Sequence, residues 1–303
     1  MKKVSVLLAV IASFFVVGFL PSCQSTKSAT SSKMLKFNFE KGRGYDYEMI
    51  MNMDQEVMGQ PIKMDMTTYY SMDVMADDGN MKTITTTFDR FKMNMGVAGM
   101  NIDIDSDKPM PNLGLGEGEE DPMKMLNGVL GAIKGRKFTM KVNAEGKVEE
   151  VTGFKDMAQS IADSLNLDEK KRSDMMQKFN EQFNESNIKS QFERVLYIFP
   201  NKEVKVGDSW QKNTTPGGQM GGKYNSTYTV KEIEGDMVTL EEKSEVEGLS
   251  DEMKMSGEIT GILVVDSKSG LVVTADQEMS MKTTANGMDI HIKGKTKIKG
   301  KAR

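Results

Sequence analysis

The sequence predicts an α+β protein, mainly β, in which two related antiparallel β-meander halves wrap a central helical segment in a half-barrel-like arrangement. Three observations lead to this class. Apolar and polar side chains alternate over long stretches on both sides of the middle of the chain, as in antiparallel strands with one buried face. Residues 152–200 between them carry the only long helical periodicity. Two similar hairpin sequences, within residues 137–151 and 261–275, indicate that the halves are related.

The N-terminus has the form of a secretory signal peptide over residues 1–22. Two lysines precede an apolar run at residues 4–20, which is too short for a stable membrane span. Residues 20–23 then read Leu-Pro-Ser-Cys and resemble the lipobox of bacterial lipoproteins. In that class the cysteine receives a diacylglyceryl group, so the resemblance implies lipidation of Cys23. The alternatives are a plain cleaved signal with an incidental cysteine, or an uncleaved anchor.

Residues 23–36 combine the predicted lipidated cysteine with a flexible tether rich in Ser, Thr and Lys. In lipoproteins of the phylum Bacteroidota, acidic residues just after the cysteine mark export to the cell surface. Residues 24–33 contain none. This resemblance implies a protein that is lipid-anchored in the outer membrane and faces the periplasm.

Residues 37–151 form the predicted first β-rich half. One face carries Tyr and Met at every second position, and Asp77–Asn80 has the composition of a hairpin turn. A short amphipathic helix is expected near residues 122–134, behind a loop rich in glycine and acidic residues. This helix is either a lid over a cavity or a cover for an open end of the core.

Residues 152–200 are the predicted helical segment. Phe154 and Met157, and later Ile188 and Phe192, recur at three- and four-residue steps that place them on one side of a helix. Pro200 ends the segment, because proline lacks the amide hydrogen that a helix needs. We expect these faces to pack on the sheets; the alternative is a partner-binding helix or plug.

Residues 201–303 form the predicted second β-rich half, and the whole of 37–303 is expected to be one folded unit. Its last strand carries a row of lysines opposite an isoleucine face: Lys293, Lys295, Lys297 and Lys299. Lysines near a membrane surface attract anionic head groups by about 1 kcal/mol each. The row is therefore a candidate membrane or partner edge. The alternative is a solvated edge strand that resists aggregation.

Methionine is the unusual residue of this chain, with 28 copies, and many of them share strand faces with Tyr, Ile and Val. Flexible thioethers fill irregular cores or line adaptable apolar pockets. They are also soft ligands for Cu(I). Core packing, an apolar ligand cavity and a copper site therefore all remain open. The candidate pocket residues are Tyr47, Met49, Met51, Met64, Met66, Tyr70, Met253 and Met255.

Enzymatic and nucleic-acid functions are not expected. One Cys and one His leave little metal or acid–base chemistry, and no hydrolase, zinc, redox or phosphate-binding motif occurs. Asp103, Asp105 and Asp107 begin like a calcium loop, but the required Gly and Glu are missing. We therefore predict no catalytic residue, metal site or cofactor. The net charge of −4 argues against nucleic acid as a partner.

Three stretches of the mature chain resemble an uncharacterised family of Bacteroidota envelope lipoproteins. They are residues 37–42 with the tyrosines that follow, residues 204–210 (Val-Lys-Val-Gly-Asp-Ser-Trp), and the strand at residues 228–230. The architecture is also loosely similar to half-barrel lipoprotein carriers. These resemblances imply a lipoprotein that binds an apolar ligand or lipid. The alternatives are a structural or assembly protein that binds another envelope protein, and a copper-handling protein.

Overall fold

The structure is a computed structural model that describes residues 32–57, 60–97, 100–108, 133–164, 169–170, 172–173, 176–177, 185–215, 222–248, 254–285 and 288–303. Sequence predictions for the N-terminus and the acidic loop region therefore lie outside the described residues. They are the signal peptide, the lipidation of Cys23, the tether up to residue 31, and all but the last two residues of the short helix near 122–134.

The described chain is built from long antiparallel strands. In chain order these are β1 Lys33–Leu35, β2 Gly44–Val57, β3 Gln60–Asp77, β4 Met81–Val97, β5 Met100–Asp105, β6 Lys137–Asn143, β7 Val148–Thr152, β8 Lys202–Val204, β9 Ser209–Thr214, β10 Gly222–Glu234, β11 Met237–Gly248, β12 Lys254–Asp266, β13 Leu271–Ala285 and β14 Met288–Ala302. Two helices lie between β7 and β8: α1 Phe154–Ser164 and α2 Glu185–Leu196.

Twelve of these strands form one antiparallel sheet in the order β7-β6-β4-β3-β2-β14-β13-β12-β11-β10-β9, with β5 paired to β4 beside β6. Strands β1 and β8 form a separate two-stranded sheet. The first and second parts of the chain meet where β2 pairs with β14, in a register that matches Tyr45 with Ala302 and Glu56 with His291. The last strand of the protein is therefore an interior strand.

The predicted α+β class with a central helical segment is wrong. Strands account for 68% and helices for 13% of the described residues, and the strands join one large antiparallel sheet. The predicted pair of related meanders, each ending in a hairpin, does not hold either. The β6–β7 hairpin ends the sheet, whereas the β12–β13 hairpin lies inside it and is followed by β14.

The helices begin close to where their periodicity predicts, and they pack on the sheet. Phe154 and Met157 of α1, and Ile188 and Phe192 of α2, are buried in the main core. Strands β7 and β9, at the two ends of the sheet, are the ones that α2 contacts most. No helix among the described residues is long and apolar enough to cross a membrane.

Four hairpin turns of the sheet are formed at glycines. Gly79, Gly146, Gly235 and Gly270 have positive φ angles, which other residues adopt only with strain, and each closes a hairpin of the sheet. Gly146 is also a point of close approach, because a Cβ atom there would lie 2.0 Å from the carbonyl oxygen of Leu196 in α2. This turn therefore helps to seat α2 on the β6–β7 hairpin.

We call the sheet face that carries the buried residues the inner face. At one end of the long strands, it meets both helices in the main core, with Phe39, Met72, Phe138 and Leu240 among the buried side chains. Towards the other end are two smaller clusters, one centred on Met93, Ile102 and Ile104 and one on Val246, Ile259 and Met281. The inner face thus continues beyond the main core.

The predicted tether ends earlier than residue 36. Residues Lys33–Leu35 form β1 against β8, and Leu35 is fully buried. Phe37 and Phe39 follow it into the main core, where Phe39 stacks on Tyr45 at 3.7 Å between ring centroids. The chain is therefore fixed to the fold from residue 33 onward.

Candidate functional site

The inner face carries a patch of six methionines on three adjacent strands. Two rows of directly paired residues cross β2, β3 and β4, and each row consists of methionine alone. The rows are Met51-Met66-Met93 and Met53-Met64-Met95. Side chains paired in this way project from the same face, with Cβ atoms about 4.5–5.5 Å apart. We call these six residues the methionine face.

The methionine face is only partly covered. Met93 is buried, in contact with Ile102 and Ile104 of β5, whereas the other five methionines are half-buried. Met51, Met53 and Met66 belong to none of the three clusters of buried side chains found among the described residues. Apolar area in this part of the sheet is thus left for a further contact.

The apolar surface continues across the β2–β14 seam. Thr296 and Gly294 lie beside the two methionine rows, and Met279 and Met281 follow in β13. A Cβ atom at Gly294 would lie 2.9 Å from the terminal methyl group of Met279, so that side chain lies over the glycine. A glycine inside a strand commonly marks such a close approach.

Two of the predicted pocket residues belong instead to the main core. Tyr47 and Tyr70 are almost fully buried and stack on each other at 5.1 Å, and Tyr70 meets the edge of the Phe192 ring. Burial raises the pKa of both hydroxyl groups. No described group accepts a hydrogen bond from the Tyr47 hydroxyl or donates one to it.

The other predicted pocket residues do not form one site. Met49, Met51, Met64 and Met66 share the inner face of β2 and β3. Met255 packs with the cluster around Val246 and Ile259, and Met253 lies outside the described residues. Met93 and Met95 of β4 were not among the predicted pocket residues, because strand order cannot be read from local spacing.

A buried polar cluster was missed. Glu242 is 4% exposed; its carboxylate accepts a hydrogen bond from the Ser244 hydroxyl at 2.7 Å and another from the side-chain amide of Gln277. The Ser226 and Ser244 hydroxyl oxygens lie 2.7 Å apart. Burial, and then the nearby Glu242 carboxylate, raise the pKa of Tyr228. The sequence does contain a signal for this cluster. Glu242 and Ser244 occupy inward-facing positions of β11, and the other inward-facing positions of that strand are apolar.

This polar cluster lies in the same row as part of the methionine face. The row runs from Trp210 and Tyr228 through Glu242, Gly261, Gln277 and Thr296 to Met51, Met66 and Met93. Along this row, the side chains on the inner face therefore change from aromatic to polar to apolar.

The lysine row of β14 is not at an edge of the sheet. It projects from the outer face of an interior strand, between acidic residues of β2 and β13. Lys295 pairs with Glu278 at 2.6 Å, Lys297 with Asp276 at 3.1 Å, and Lys299 with Glu48 at 3.0 Å. Lys293 is the register partner of an aspartate, Asp54. The expected edge position is therefore wrong, while contact of these lysines with a membrane or partner stays a prediction.

The acidic residues at the end of β5 are engaged with cations of the protein. Both carboxylate oxygens of Asp105 accept hydrogen bonds from the Arg90 guanidinium, at 3.0 and 2.7 Å, which lowers the pKa of Asp105 to about 2. Asp107 pairs with Arg90 and Lys134. Within the described ranges, no three or more His, Cys, Asp or Glu side chains are grouped to hold a metal ion.

Comparison with known families assigns the chain to a family. A family of unknown function, DUF6263, matches residues 79–272, which is more than half of the chain. The chain belongs to this family. The matched region of DUF6263 contains both helices, all of the polar cluster except Gln277, and the two β4 methionines of the methionine face, Met93 and Met95.

Curated proteins and solved structures add no functional assignment for this DUF6263 chain. No curated protein matches it. Among solved structures, it is similar to the translocator domain of the autotransporter NalP from Neisseria meningitidis, with 9% identity, a TM-score of 0.24, and coverage of 88% of this chain and 90% of that one. It is also similar to OccK5 from Pseudomonas aeruginosa, with 8% identity, a TM-score of 0.22, and coverage of 88% and 99%. At these identities and TM-scores, neither similarity supports an inference about this chain.

Proposed function

We propose that this protein is an envelope lipoprotein of the Bacteroidota, anchored in the outer membrane through Cys23 and facing the periplasm, that binds an apolar ligand or lipid. The observation that carries the binding proposal is the methionine face. Five of its six side chains are half-buried, and they extend the apolar inner face beyond the main core. The lipobox resemblance at residues 20–23 supports the anchor.

Methionine suits this role physically. Its unbranched thioether side chain changes shape at low cost, so a methionine surface adapts to flexible apolar molecules such as acyl chains. Each methionine that becomes fully covered contributes about 25 cal/mol per Å² of apolar area removed from water. Several half-buried methionines in two adjoining rows therefore provide a continuous apolar surface rather than isolated contacts.

The first experiment is native mass spectrometry of the full chain purified from membranes, followed by denaturation to release any bound molecule. We expect additional mass that is identified as a lipid or another apolar compound. A chain that carries no apolar molecule, and that also fails to bind a fluorescent fatty acid probe, would contradict the proposal.

Matched variants localise the binding. The double variant Met51→Gln and Met66→Gln places two polar amides on the inner face of β2 and β3. We expect about a tenfold loss of affinity for the fluorescent probe, because half-buried methionines each lose part of a transfer energy of about 1.5–3 kcal/mol. The control is Thr67→Gln on the outer face of β3, which should leave affinity unchanged. Equal affinity of all three proteins would place the ligand elsewhere.

A second candidate function, Cu(I) binding, is favoured by the same rows. Three thioether side chains project side by side from Met51, Met66 and Met93, and soft sulfur ligands suit Cu(I). Isothermal titration with Cu(I) under reducing conditions separates the two candidates. Tight binding that Met51→Gln weakens would favour copper, and the absence of binding tighter than about 1 μM would exclude it.

A further inference from the structure

The terminal strand β9 has a free edge among the described residues. The backbone carbonyl and amide groups of Val230 in β10 form hydrogen bonds with Gly207 and Asp208, just before β9. Every second residue of β10 therefore directs its backbone groups towards β9 in the same way. In an antiparallel pair this makes Trp210, Lys212 and Thr214 the hydrogen-bonded partners of β10. The amide groups of Ser209, Gln211 and Asn213 therefore point away from the sheet. No described group accepts a hydrogen bond from them.

A groove runs along this edge. It has a volume of about 360 Å³ and is lined by Tyr197, Pro200, Lys202, Trp210, Gln211, Lys212 and Asn213. This volume is at the lower end of the range for ligand pockets, about 300–1,000 Å³. The wall opposite β9 is formed by the chain that leaves α2, which is fixed by a hydrogen bond of 2.7 Å from the Trp210 indole to the carbonyl oxygen of Ile198. The walls of the groove are thus held in place by contacts within the fold.

The groove also contains a cation without an anionic partner. Lys212 is half-buried, and its ammonium group lies 3.8 Å from the centre of the Tyr197 ring. In the described part of the chain, this ammonium forms no hydrogen bond or ion pair. Burial lowers the pKa of Lys212, and the more distant Glu145 carboxylate partly opposes that effect. The two charged residues that line the groove, Lys202 and Lys212, have the same sign.

We propose that this groove is a docking site for an extended, acidic peptide segment of another protein, which adds a strand to the free edge of β9 and places a carboxylate beside Lys212. Backbone hydrogen bonds to an exposed edge provide affinity in this mode of recognition, and alternate side chains provide specificity. An extended peptide matches the outward amides of Ser209, Gln211 and Asn213, and an acidic side chain matches the unpaired ammonium group. The proposal is independent of the apolar ligand.

Trp210 is the only tryptophan of the chain and lines the groove, so its fluorescence reports on this site alone. The full chain is titrated with a blocked hexapeptide of alternating Val and Thr that contains one central Glu. We expect a saturable change in Trp210 fluorescence and slower hydrogen exchange at the amides of Gln211 and Asn213. The same peptide with Gln in place of Glu should bind roughly tenfold more weakly, because a charge-assisted hydrogen bond is lost.

Two variants test the two halves of the proposal. With Lys212→Gln, the Glu and Gln peptides should bind equally, because residues that touch each other show non-additive effects. Gln211→Pro removes an outward amide but none of the hydrogen bonds to β10, and it should abolish binding. Lys223→Gln, on the exposed side of β10, is the control and should bind like the wild type. Circular dichroism confirms that each variant is folded.

Three outcomes would overturn the proposal. The first is no fluorescence change up to about 1 mM of the Glu peptide. The second is a Glu-peptide affinity that Gln211→Pro leaves unchanged, which would exclude strand addition. The third is an identical response to sodium acetate, which would show a simple anion site at Lys212.

Discussion

At the residue scale, the polar cluster of the inner face depends on the absence of one side chain. Gly261 of β12 is the register partner of both Glu242 and Gln277, which lie on the strands at either side. The Gln277 amide reaches the Glu242 carboxylate by crossing over this glycine. A Cβ atom at Gly261 would lie 2.7 Å from the Gln277 side chain and 2.7 Å from the carbonyl oxygen of Asp276. Glycine is therefore required here for a hydrogen bond rather than for a turn.

We expect Gly261→Ala to lower the free energy of unfolding by about 1–3 kcal/mol, because it crowds the Asp276 backbone and separates Gln277 from a buried carboxylate. Urea denaturation measures the change. Gly96→Ala is the control: this glycine is also inside a strand, and a Cβ atom there would meet nothing within 4 Å. Its expected effect is neutral to slightly stabilising, because alanine reduces the entropy of the unfolded chain. Equal losses in both variants would contradict the argument.

At the element scale, α2 closes the β7 end of the sheet through its side chains. The Glu193 carboxylate accepts a hydrogen bond from the backbone amide of Val148 at 3.2 Å, and Glu185 accepts one from Val151 at 3.1 Å. Terminal strands otherwise present unpaired amides that recruit other strands. Burial raises the pKa of Glu193, whereas Lys189 lowers the pKa of Glu185. The two ends of the sheet thus differ, since the outward amides of β9 have no such partner in the described chain.

We expect Glu193→Ala to speed hydrogen exchange at the Val148 amide by roughly tenfold or more, because an unsatisfied buried amide costs about 1–3 kcal/mol. Glu193→Gln keeps an acceptor oxygen in place, so it should preserve most of the protection. Exchange followed by NMR resolves the single amide. If both variants exchange alike, something other than this side chain protects the edge.

The elements themselves were largely predictable from the sequence, but their neighbours were not. Alternation located most of the strands, and turn composition and hairpin sequences located three of the hairpins, β3–β4, β6–β7 and β12–β13. These signals are local. The pairing of β2 with β14 joins residues about 250 positions apart, and nothing in either strand alone specifies it. The expected lysine edge was wrong for this reason, because a charged outer face looks the same on an interior strand as on an edge strand.

The candidate sites show the same limit. The sequence shows methionines at every second position of single strands, yet their assembly into rows across β2, β3 and β4 requires the register of two strand pairs. The groove beside β9 requires the position of the chain after α2 as well. Local sequence patterns indicate which face of a strand a residue occupies. Only the order of the strands in the sheet determines which residues come together in one site.

At the scale of the whole molecule, charge complementarity marks both sides of β14, the strand that joins the two parts of the chain. On the outer face, the lysine row of β14 lies between acidic residues of β2 and β13, with Glu48 on one side and Asp276 and Glu278 on the other. A shift of one residue in register would turn every side chain of β14 to the opposite face. Opposite charges paired across strands stabilise the correct register, whereas like charges brought opposite each other destabilise other registers.

We expect the double variant Lys295→Glu and Lys297→Glu to lower the urea midpoint by on the order of 0.5 M, because each new carboxylate faces an acidic residue of β13. Adding Asp276→Lys and Glu278→Lys restores opposite charges and should recover most of the loss. The partners of Lys295 and Lys297 on β2 are Asn52 and Ile50, so the exchange creates no new repulsion on that side. The effect should shrink in 1 M salt, where exposed charges are screened within about 3 Å.

The same four-fold exchange decides whether the lysines also contact a membrane. It leaves the net charge of the chain unchanged and moves two of the four positive charges of the row from β14 to β13, one strand away. If the lysines serve only the pairing of β14 with its neighbours, sedimentation with anionic lipid vesicles should be the same for the exchanged and the wild-type protein. If they contact head groups in a fixed orientation, the exchanged protein should fold normally and bind the vesicles more weakly. A double variant as stable as the wild type would instead show that the pairing of β13 with β14 does not depend on these charges.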